Sequence, residues 1–383
     1  MFSANMIQAQ VMKQDVSYTI NIFSDLIKNP RAYQALFSQA KALIIVTPSV
    51  YKYYRHFINE LKTIYAECGI KILEIAENTK NMKMAEYICK AAYEMQLGKN
   101  DVFISICGGC CQDVVTVAAS LYKRGIGVIR IPTTMIGIVD ASIGIKSSMN
   151  FLTMKSSLGL FHPPKAVLID LNFLKTLPIE HIQCGVAEII KIAVVLDQYL
   201  FELLEKNSRN LIVSDFYINN AQEAQEIVQL AISRMLSQLE ENFYEDKTFE
   251  RLVDFGHTFS NVIESDSNWT VSHGFAVAID IAISSYIAFK FERISFFELQ
   301  RIINLLLSAG LPISSEFCTI ENCIRAMEKA KLHRGGDINC VIPNGIGKGH
   351  FIKQDNDVLL SAIREGILFL SSYKYETQSL LSA

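Results

Sequence analysis

Residues 102–113 read VFISICGGCCQD, and this stretch indicates the fold of the chain. A short uncharged run, typical of a buried strand, is followed by Gly108 and Gly109 and then by residues that can begin a helix. Glycines at such a turn let the backbone approach a pyrophosphate, and the amino terminus of the next helix favours its negative charge. The stretch predicts a strand, a turn and a helix that bind a dinucleotide. A tight turn without a ligand is the alternative.

Similar apolar runs occur on both sides of this stretch and alternate with amphipathic segments. The runs are residues 42–46, 70–75, 102–106, 127–131 and 166–170. Strands that alternate with helices in this way are typical of a parallel α/β sheet. After Pro178, apolar residues recur at three- and four-residue spacing, which indicates helices. We therefore predict a Rossmann-like α/β domain over residues 1–178, an all-helical domain over residues 179–383, and a site between them.

Composition indicates which kinds of partner and which cellular compartment to expect. The chain has 383 residues, half of them hydrophobic, and a formal charge of −3, so neither disorder nor nucleic-acid binding is expected. Nine cysteines without framework spacing favour reduced thiols in a cytosol. Cys107 and Cys110 form a CxxC pair, so a redox use of that turn is a further alternative. The start of the chain lacks a signal-peptide pattern and no long apolar run occurs, so we expect a cytoplasmic protein without a membrane partner.

Glu188, His257 and His273 form a candidate metal centre. Two neutral imidazoles and one carboxylate leave an open position on a divalent metal, usually zinc, and the same set accepts cobalt. An open position allows the metal to polarise a bound hydroxyl or water. Glu188 and Lys191 are three residues apart on a predicted helix, so they share one face. The alternative is that these histidines are ordinary core or surface residues.

Hydroxyls and lysines collect just after the predicted strand at residues 127–131. Thr133 and Thr134 follow this strand directly, and Asp140, Lys146 and Lys155 come next in a largely uncharged run. A surface loop would not need lysine inside such a run, and a merely solvated Lys146 is the alternative. The arrangement predicts the rim of a phosphate and cofactor site.

Taken together, the chain resembles the sugar phosphate cyclases, the family of 3-dehydroquinate synthase, from about residue 46 to residue 347. The ordered motifs are GG-x3-D at residues 108–113, KRG at 123–125, PTT at 132–134, D-x5-K at 140–146, FLKTLP at 173–178, AEIIK at 187–191, DFGHTF at 254–259 and HG at 273–274. The resemblance implies an α/β domain that binds NAD, a helical domain that holds zinc or cobalt, a sugar phosphate substrate, and a homodimer.

The resemblance also implies roles for individual residues. The metal ligands match Glu188, His257 and His273. The positions that match the NAD site are Glu77, Lys80, Gly108, Gly109, Asp113, Thr133, Thr134, Asp140, Lys146, Lys155, Phe173 and Thr176. The positions that match catalytic or substrate contacts are Lys146, Lys155, Lys191, Asp254, the phosphate-binding Arg124 and His333. For His333 a structural loop histidine is the alternative.

Three positions separate the chain from 3-dehydroquinate synthase itself. Met235, Asp254 and Asn261 stand where that enzyme has a lysine, an asparagine and a histidine, which favours a substrate without a carboxylate. Residues 130–134, 251–254, 333–336 and 342–347 resemble the 2-epi-5-epi-valiolone synthases, which cyclise sedoheptulose 7-phosphate. Leu239, Asp254 and His333 match this branch better than the desmethyl-4-deoxygadusol synthases.

The valiolone branch implies a reaction without net redox change. NAD oxidises the C5 hydroxyl, phosphate leaves from C7, the hydride returns, and after ring opening an aldol addition onto the C2 ketone closes the carbocycle.

Three residues depart from the family pattern. Cys107 replaces a glycine, Ser156 replaces an asparagine, and Phe275 replaces a glutamate beside a metal ligand. The last change is expected to weaken the metal site or misplace His273. Two other functions therefore stay open: a dehydrogenase of the iron-type alcohol or glycerol-1-phosphate kind, and a non-catalytic relative that binds NAD or a sugar phosphate.

Overall fold

The computed structural model describes residues 17–37, 41–152, 154–213, 221–333, 336, 338–353 and 356–381, without the side chains of 213, 221, 333 and 374–381. Its first part is a six-stranded parallel sheet with the order β1-β8-β5-β4-β2-β3. The strands of this sheet are β1 (Thr19–Phe23), β2 (Lys41–Val46), β3 (Glu67–Ile72), β4 (Val102–Cys107), β5 (Gly127–Pro132) and β8 (Ala166–Asp170). The intervening helices are α1 (Pro48–Lys62), α2 (Met82–Glu94) and α3 (Gly109–Leu121).

Strand β4 shows why the apolar runs form this sheet. All six of its residues are buried, because helices cover both faces of a parallel sheet and leave no face for water. The predicted alternation of strands and helices is confirmed, as is the fold class. Strand β1, which the sequence did not predict, pairs with β8 at one edge and is only partly buried.

A second element that the sequence did not predict interrupts the α/β domain. Strands β6 (Lys146–Phe151) and β7 (Met154–Phe161) pair as an antiparallel hairpin outside the main sheet. Most of β7 is exposed, and its serines and glycine give no alternating apolar pattern. This hairpin carries the lysines Lys146 and Lys155.

The second part of the chain is helical and begins at α4. Its helices are α4 (Ile179–Leu196), α5 (Gln198–Val213), α6 (Ala221–Leu239), α7 (Ser260–Asp266), α8 (His273–Lys290), α9 (Phe296–Ser308), α10 (Ile320–His333) and α11 (Asp357–Leu381). A two-stranded antiparallel ribbon, β9 (Cys340–Pro343) and β10 (Gly349–Ile352), adds to the predicted helices. Among the described residues, no helix combines the length and apolarity that a membrane span requires.

Helices α4 and α8 form the centre of the helical core. Most residues of both helices are buried, because apolar side chains occur on all sides of each helix and only a few charged residues, such as Glu188 and Asp280, interrupt them. A Cβ on Gly274 would overlap the backbone of Cys184, so glycine is needed where the two helices meet. This close approach brings the amino terminus of α8 against the middle of α4.

Candidate active site

A cavity of about 490 Å³ lies between the two domains. The α/β domain lines it with Asp113, Asp140 and Lys146, and the helical domain with Lys191 and His257, among others. Cavities of this size suit small ligands with a few polar contacts. The predicted position of the site, between the domains, agrees with this cavity.

The three predicted metal ligands come together beside the cavity. Glu188 lies on α4, His257 lies in the turn before α7, and His273 begins α8. Oε1 of Glu188 is 3.1 Å from Nε2 of His273 and 3.7 Å from Nε2 of His257. One ligand atom from each residue lies within 4.8 Å of the others, a spacing that a single metal ion can bridge.

Each histidine is held through its other ring nitrogen. Nδ1 of His257 lies 3.1 Å from the carbonyl oxygen of Phe255, and Nδ1 of His273 lies 2.9 Å from Oε1 of Glu264. When Nδ1 donates a hydrogen bond, the lone pair of the neutral ring is on Nε2. Both Nε2 atoms point at Glu188. Lys191 pairs with Oε2 of Glu188, whereas Oε1 faces both Nε2 atoms, so one oxygen and two ring nitrogens converge as the ligands of a metal ion would.

The charges around Glu188 are strongly coupled. Burial alone would raise the pKa of Glu188, but Lys191 and the two imidazoles hold it well below its usual range. The Nζ atom of Lys191 is 2.6 Å from Oε2 of Glu188. Burial and the charge of Lys191 lower the pKa of His257 to about 4, so this ring is neutral at pH 7.

His273 differs from His257. Burial alone would lower its pKa, but the carboxylates of Glu264 and Glu188 raise the pKa of His273 to about 10. A metal ion at Nε2 must displace that proton, so metal binding here releases a proton.

Glu264 is a site residue that sequence reasoning missed. Its side chain is 3% exposed on α7, and Oε2 accepts a 2.7 Å bond from Lys155 while Oε1 faces His273. Phe275, by contrast, packs partly buried against the helical core. We expected that Phe275, in place of a glutamate, would leave His273 without a carboxylate partner. His273 nevertheless has such a partner, because Glu264 contacts its Nδ1 atom. The available signal was a glutamate on the otherwise apolar face of a short helix, seven residues after His257.

The glycine turn fits closely against neighbouring side chains. A Cβ on Gly108 would lie 2.9 Å from Thr134, and one on Gly109 would lie 2.9 Å from Ala141. Thr133 donates its backbone N–H to the carbonyl of Cys107. Cys107 itself ends β4 and is fully buried, and it is not among the residues with positive φ. The backbone therefore does not require glycine at position 107.

The redox alternative for this turn finds no support in the thiols. Burial raises the pKa of Cys110 to about 12 and that of Cys107 well above its usual range. Reactive cysteines need a lowered pKa.

Lys80 lies close to two acidic residues of the predicted cofactor site. Its Nζ lies 2.5 Å from Asp113 and 4.0 Å from Glu77. Burial alone would lower the pKa of Lys80, but the charges of Asp113 and Glu77 raise it. Asn150 binds the side chain of Glu77 and so connects the β6–β7 hairpin to this rim.

Phe173 and Thr176 lie on a short 3-10 helix at the edge of this region. The ring of Phe173 is 1% exposed and packs on Tyr54 and Phe57, so its side chain belongs to the core of the α/β domain. Thr176 is exposed and its hydroxyl lies 2.8 Å from that of Tyr54. Of these two predicted cofactor contacts, only Thr176 presents its side chain at the surface.

Arg124 is a predicted contact that this chain does not bring to the cavity. Arg124 is exposed just after the carboxyl end of α3, roughly 20 Å along that helix from Gly109 at 1.5 Å per residue. A role for Arg124 in the cavity of its own chain is therefore not supported. The side chain of His333 lies outside the described residues.

The lysines of the hairpin are paired with carboxylates of the helical domain. Lys146 pairs with Glu245, and Lys155 pairs with Glu264. Arg251 binds both oxygens of Asp254 through Nη2 at 2.8 and 3.0 Å and also pairs with Glu245. Sequence reasoning missed Glu245 and assigned no role to Arg251. Both line the cavity, so they add a carboxylate and a cation to it.

Comparison with known proteins places these features in a family. The family model of the 3-dehydroquinate synthase N-terminal region matches residues 70–184, and that of the C-terminal region matches residues 185–332. The 2-epi-5-epi-valiolone synthase of Streptomyces glaucescens is 35% identical over 302 residues, which cover 78% of this chain and 76% of the relative. The 3-dehydroquinate synthase of Prochlorococcus marinus is 34% identical over 331 residues, with 85% and 89% coverage.

A solved structure agrees over almost the whole chain. ValA, the 2-epi-5-epi-valiolone synthase of Streptomyces hygroscopicus subsp. jinggangensis, was solved with NAD+ and Zn2+ bound and is 31% identical. The TM-score is 0.89, and the match covers 96% of this chain and 99% of ValA. The matched family models, the relatives and this structural similarity agree with the clustered Glu188, His257 and His273. The chain belongs to the 3-dehydroquinate synthase family of sugar phosphate cyclases.

Proposed function

We propose that the protein is an NAD- and zinc-dependent cyclase that converts sedoheptulose 7-phosphate to 2-epi-5-epi-valiolone with loss of phosphate. The observation that carries the choice of substrate is Met235. It lines the cavity and is 2% exposed, at the position where 3-dehydroquinate synthase has a lysine. An apolar wall disfavours a substrate carboxylate, since a buried charge needs a partner. Similarity to the valiolone synthases supports the same choice.

The residues present fit both cofactors. Glu188, His257 and His273 would hold the metal, because one ligand atom from each lies within 4.8 Å of the others. The turn at Gly108 and Gly109 would hold the NAD pyrophosphate. When bound, NAD would accept and return a hydride at C5 of the sugar, and the metal would polarise the C4 and C5 hydroxyls.

Buried charges would stabilise the reacting oxygens. Burial alone would lower the pKa of Lys191, but Glu188 and Asp140 raise it, so Lys191 stays positive and can stabilise an oxyanion. Burial and the charge of Glu188 raise the pKa of Asp140. Asp140 therefore holds a proton at a higher pH than an ordinary aspartate and can exchange it with a substrate hydroxyl.

Three cations would bind the phosphate: Lys146 and Arg251, which line the cavity, and Lys155 of the hairpin. Lys146, Lys155 and Arg251 are each paired with a carboxylate in this structure. A phosphate group competes well for such cations, because it offers several anionic oxygens to the guanidinium fork and the ammonium groups. We propose that the substrate phosphate replaces Glu245 as the partner of Lys146 and Arg251. Asp254 stays bound to Arg251 and keeps its guanidinium oriented.

Phosphate release tests the proposal. Wild-type protein with NAD and zinc should release phosphate from sedoheptulose 7-phosphate, accumulate no NADH, and give a cyclic ketone by mass spectrometry and NMR. Lys191→Met should abolish release, whereas Lys290→Met, which removes a half-exposed lysine paired with Glu365, should not change it. Faster release from the carboxylate-bearing substrate of 3-dehydroquinate synthase would contradict the assignment.

One observation favours a second candidate, a relative that binds NAD without turnover. Ser156 lines the cavity where the family has an amide side chain. Such a protein would bind NAD and release no phosphate from any sugar phosphate. A dehydrogenase would instead produce NADH in proportion to the substrate consumed.

We also propose that the protein acts in the cytoplasm as a homodimer. Light scattering of the purified protein should give a mass of two 43.1 kDa chains, and a mass of one chain would exclude the dimer.

A further inference from the structure

Arg130 is the largest side chain that is fully buried in the described structure. It lies on β5 and is 1% exposed. Among the described residues no carboxylate forms an ion pair with it, and its Nε atom is buried without a hydrogen-bond partner. The guanidinium instead donates to four oxygens: the carbonyls of Ser142 (3.1 Å), Gly144 (2.6 Å) and His162 (3.4 Å), and the hydroxyl of Thr116 (3.3 Å).

This arrangement is costly for a residue whose only function is to fill space. Burial lowers the pKa of Arg130 to about 10, although the charge of Asp113 opposes this without a direct ion pair, so the group is still charged at neutral pH. A buried charge without a counterion destabilises a fold unless several dipoles solvate it. An apolar side chain of similar volume would fill the same space without that cost, which points to a role in fixing the three carbonyl groups.

Those carbonyl groups belong to both ends of the β6–β7 hairpin. Gly144 precedes β6 and His162 follows β7, and the N–H of His162 also binds the carbonyl of Ile145 at 2.8 Å. One guanidinium therefore holds the two chain segments from which the hairpin projects. Lys146 is two residues beyond Gly144, so its position depends directly on the hydrogen bonds that Arg130 donates to Gly144 and His162.

The guanidinium of Arg130 is also connected to the glycine turn by a chain of hydrogen bonds. The hydroxyl of Ser142 donates to Gln112 at 2.5 Å, and the amide of Gln112 donates to the carbonyl of Cys107 at 3.1 Å. Cys107 directly precedes Gly108, and Ser142 follows Asp140 by two residues. Arg130, Ser142 and Gln112 thus connect the base of the hairpin and the glycine turn in one buried hydrogen-bond network.

We propose that Arg130 is a positioning residue that sets the β6–β7 hairpin, and with it Lys146 and Lys155, relative to the glycine turn and the metal ligands. The catalytic consequence rests on the proposed function. The consequence for the position of the hairpin does not depend on it.

A single tryptophan provides a readout without turnover. Trp269 is the only tryptophan in the sequence, it belongs to the helical domain, and its ring centroid is 5.4 Å from Nζ of Lys155 on β7. Displacement of the hairpin removes Lys155 from this ring. Quenching of Trp269 fluorescence by acrylamide therefore reports the position of the hairpin across the domain boundary.

The experiment compares Arg130→Met and Arg130→Lys with wild-type protein. We expect Arg130→Met to increase acrylamide quenching of Trp269 and to lower kcat for phosphate release about 100-fold, as misplaced catalytic groups do, with unchanged zinc content. Arg130→Lys keeps the charge but has three donors and no planar fork, so it should give intermediate values of both. If Arg130→Met does not fold, Arg130→Lys decides the question alone.

Two controls complete the design. Lys155→Met should increase quenching with Arg130 intact, which calibrates the signal. Arg301→Met removes an arginine that pairs with Glu205 on the helical domain and should change neither readout. Folded Arg130 variants with wild-type quenching would overturn the proposal, whatever their activity. Altered quenching in a protein that releases no phosphate even as wild type would support the positioning role of Arg130 and reject only the proposed reaction.

Discussion

The imidazole of His273 and the carboxylate of Glu264 lie 2.9 Å apart, Nδ1 to Oε1. The other oxygen of Glu264 is 2.7 Å from Lys155, so one buried carboxylate joins a proposed metal ligand of the helical domain to a lysine of the α/β domain. Burial alone would raise the pKa of Glu264, but the charges of His273 and Lys155 lower it to about 2. Glu264 is therefore charged throughout the physiological pH range.

Glu264→Gln should weaken zinc binding by roughly 10- to 100-fold, because the carboxylate orients His273 and increases its basicity. Competition with a chromophoric chelator measures this affinity. Glu205→Gln, which changes a glutamate paired with Arg301, should bind zinc like wild type. Unchanged zinc affinity in Glu264→Gln would show that His273 is held by other contacts.

Gly274→Ala should destabilise the fold by about 3 kcal/mol, because the added methyl group overlaps the backbone of Cys184 and forces α4 and α8 apart. Urea unfolding measures the loss, and zinc affinity should fall with it, since these helices carry Glu188 and His273. Gly98→Ala is the matched control, because its nearest atom would lie at an ordinary 3.4 Å. Equal stability of the two variants would contradict the close approach of the helices.

Asp280 makes stability depend on pH. It is fully buried on α8 and accepts bonds from the backbone N–H groups of Phe259 (2.5 Å) and Ser260 (3.0 Å) and from Ser284 (2.9 Å). Burial nevertheless raises the pKa of Asp280 from 3.8 to about 6. Because the folded pKa is above the unfolded one, this contribution to stability is present below pH 4 and is lost as pH rises through about 6.

The free energy of unfolding should therefore fall by about 2 kcal/mol between pH 4 and pH 7 through Asp280 alone. The measurement is urea unfolding at both values for wild type and Asp280→Asn, since the difference between the two proteins isolates this group. The variant should lack this part of the pH dependence. The same pH dependence in both proteins would assign it to other groups.

Ser156→Asn should stabilise the protein and increase its rate of phosphate release. Ser156 has a φ of +53°, a region that asparagine tolerates better than serine, so a gain of about 0.5 kcal/mol is expected. The new amide also faces the cavity that Ser156 lines.

Leu152→Asn separates the two effects of the Ser156 substitution. Leu152 has a φ of +54° and is 88% exposed, so it should give a similar gain in stability without a change in rate. A stable Ser156→Asn protein with no gain in rate would favour the non-catalytic candidate.

The sequence by itself determined the elements and the chemical groups of the site. The run at β4 is uncharged and fully buried, as a strand covered on both faces of a parallel sheet usually is, and that property is local and can be read from the sequence. The helix at Glu188 and the two histidines are likewise readable, because metal-binding residue types and helical spacing are properties of short segments. The hairpin β6–β7 could not be predicted from the sequence, since much of it is exposed and its residues do not alternate between apolar and polar.

Only the tertiary structure decided which groups meet. Glu264 contacts His273, and Glu245 pairs with both Lys146 and Arg251. The charge of Arg130 is stabilised by carbonyl groups at the ends of the hairpin. Arg124, although it matches a motif, lies at the far end of α3 from the glycine turn. The physical reason is that a charge is placed in a folded chain by partners distant in sequence. A buried carboxylate or guanidinium is tolerated only where folding brings together the dipoles and counterions that solvate it.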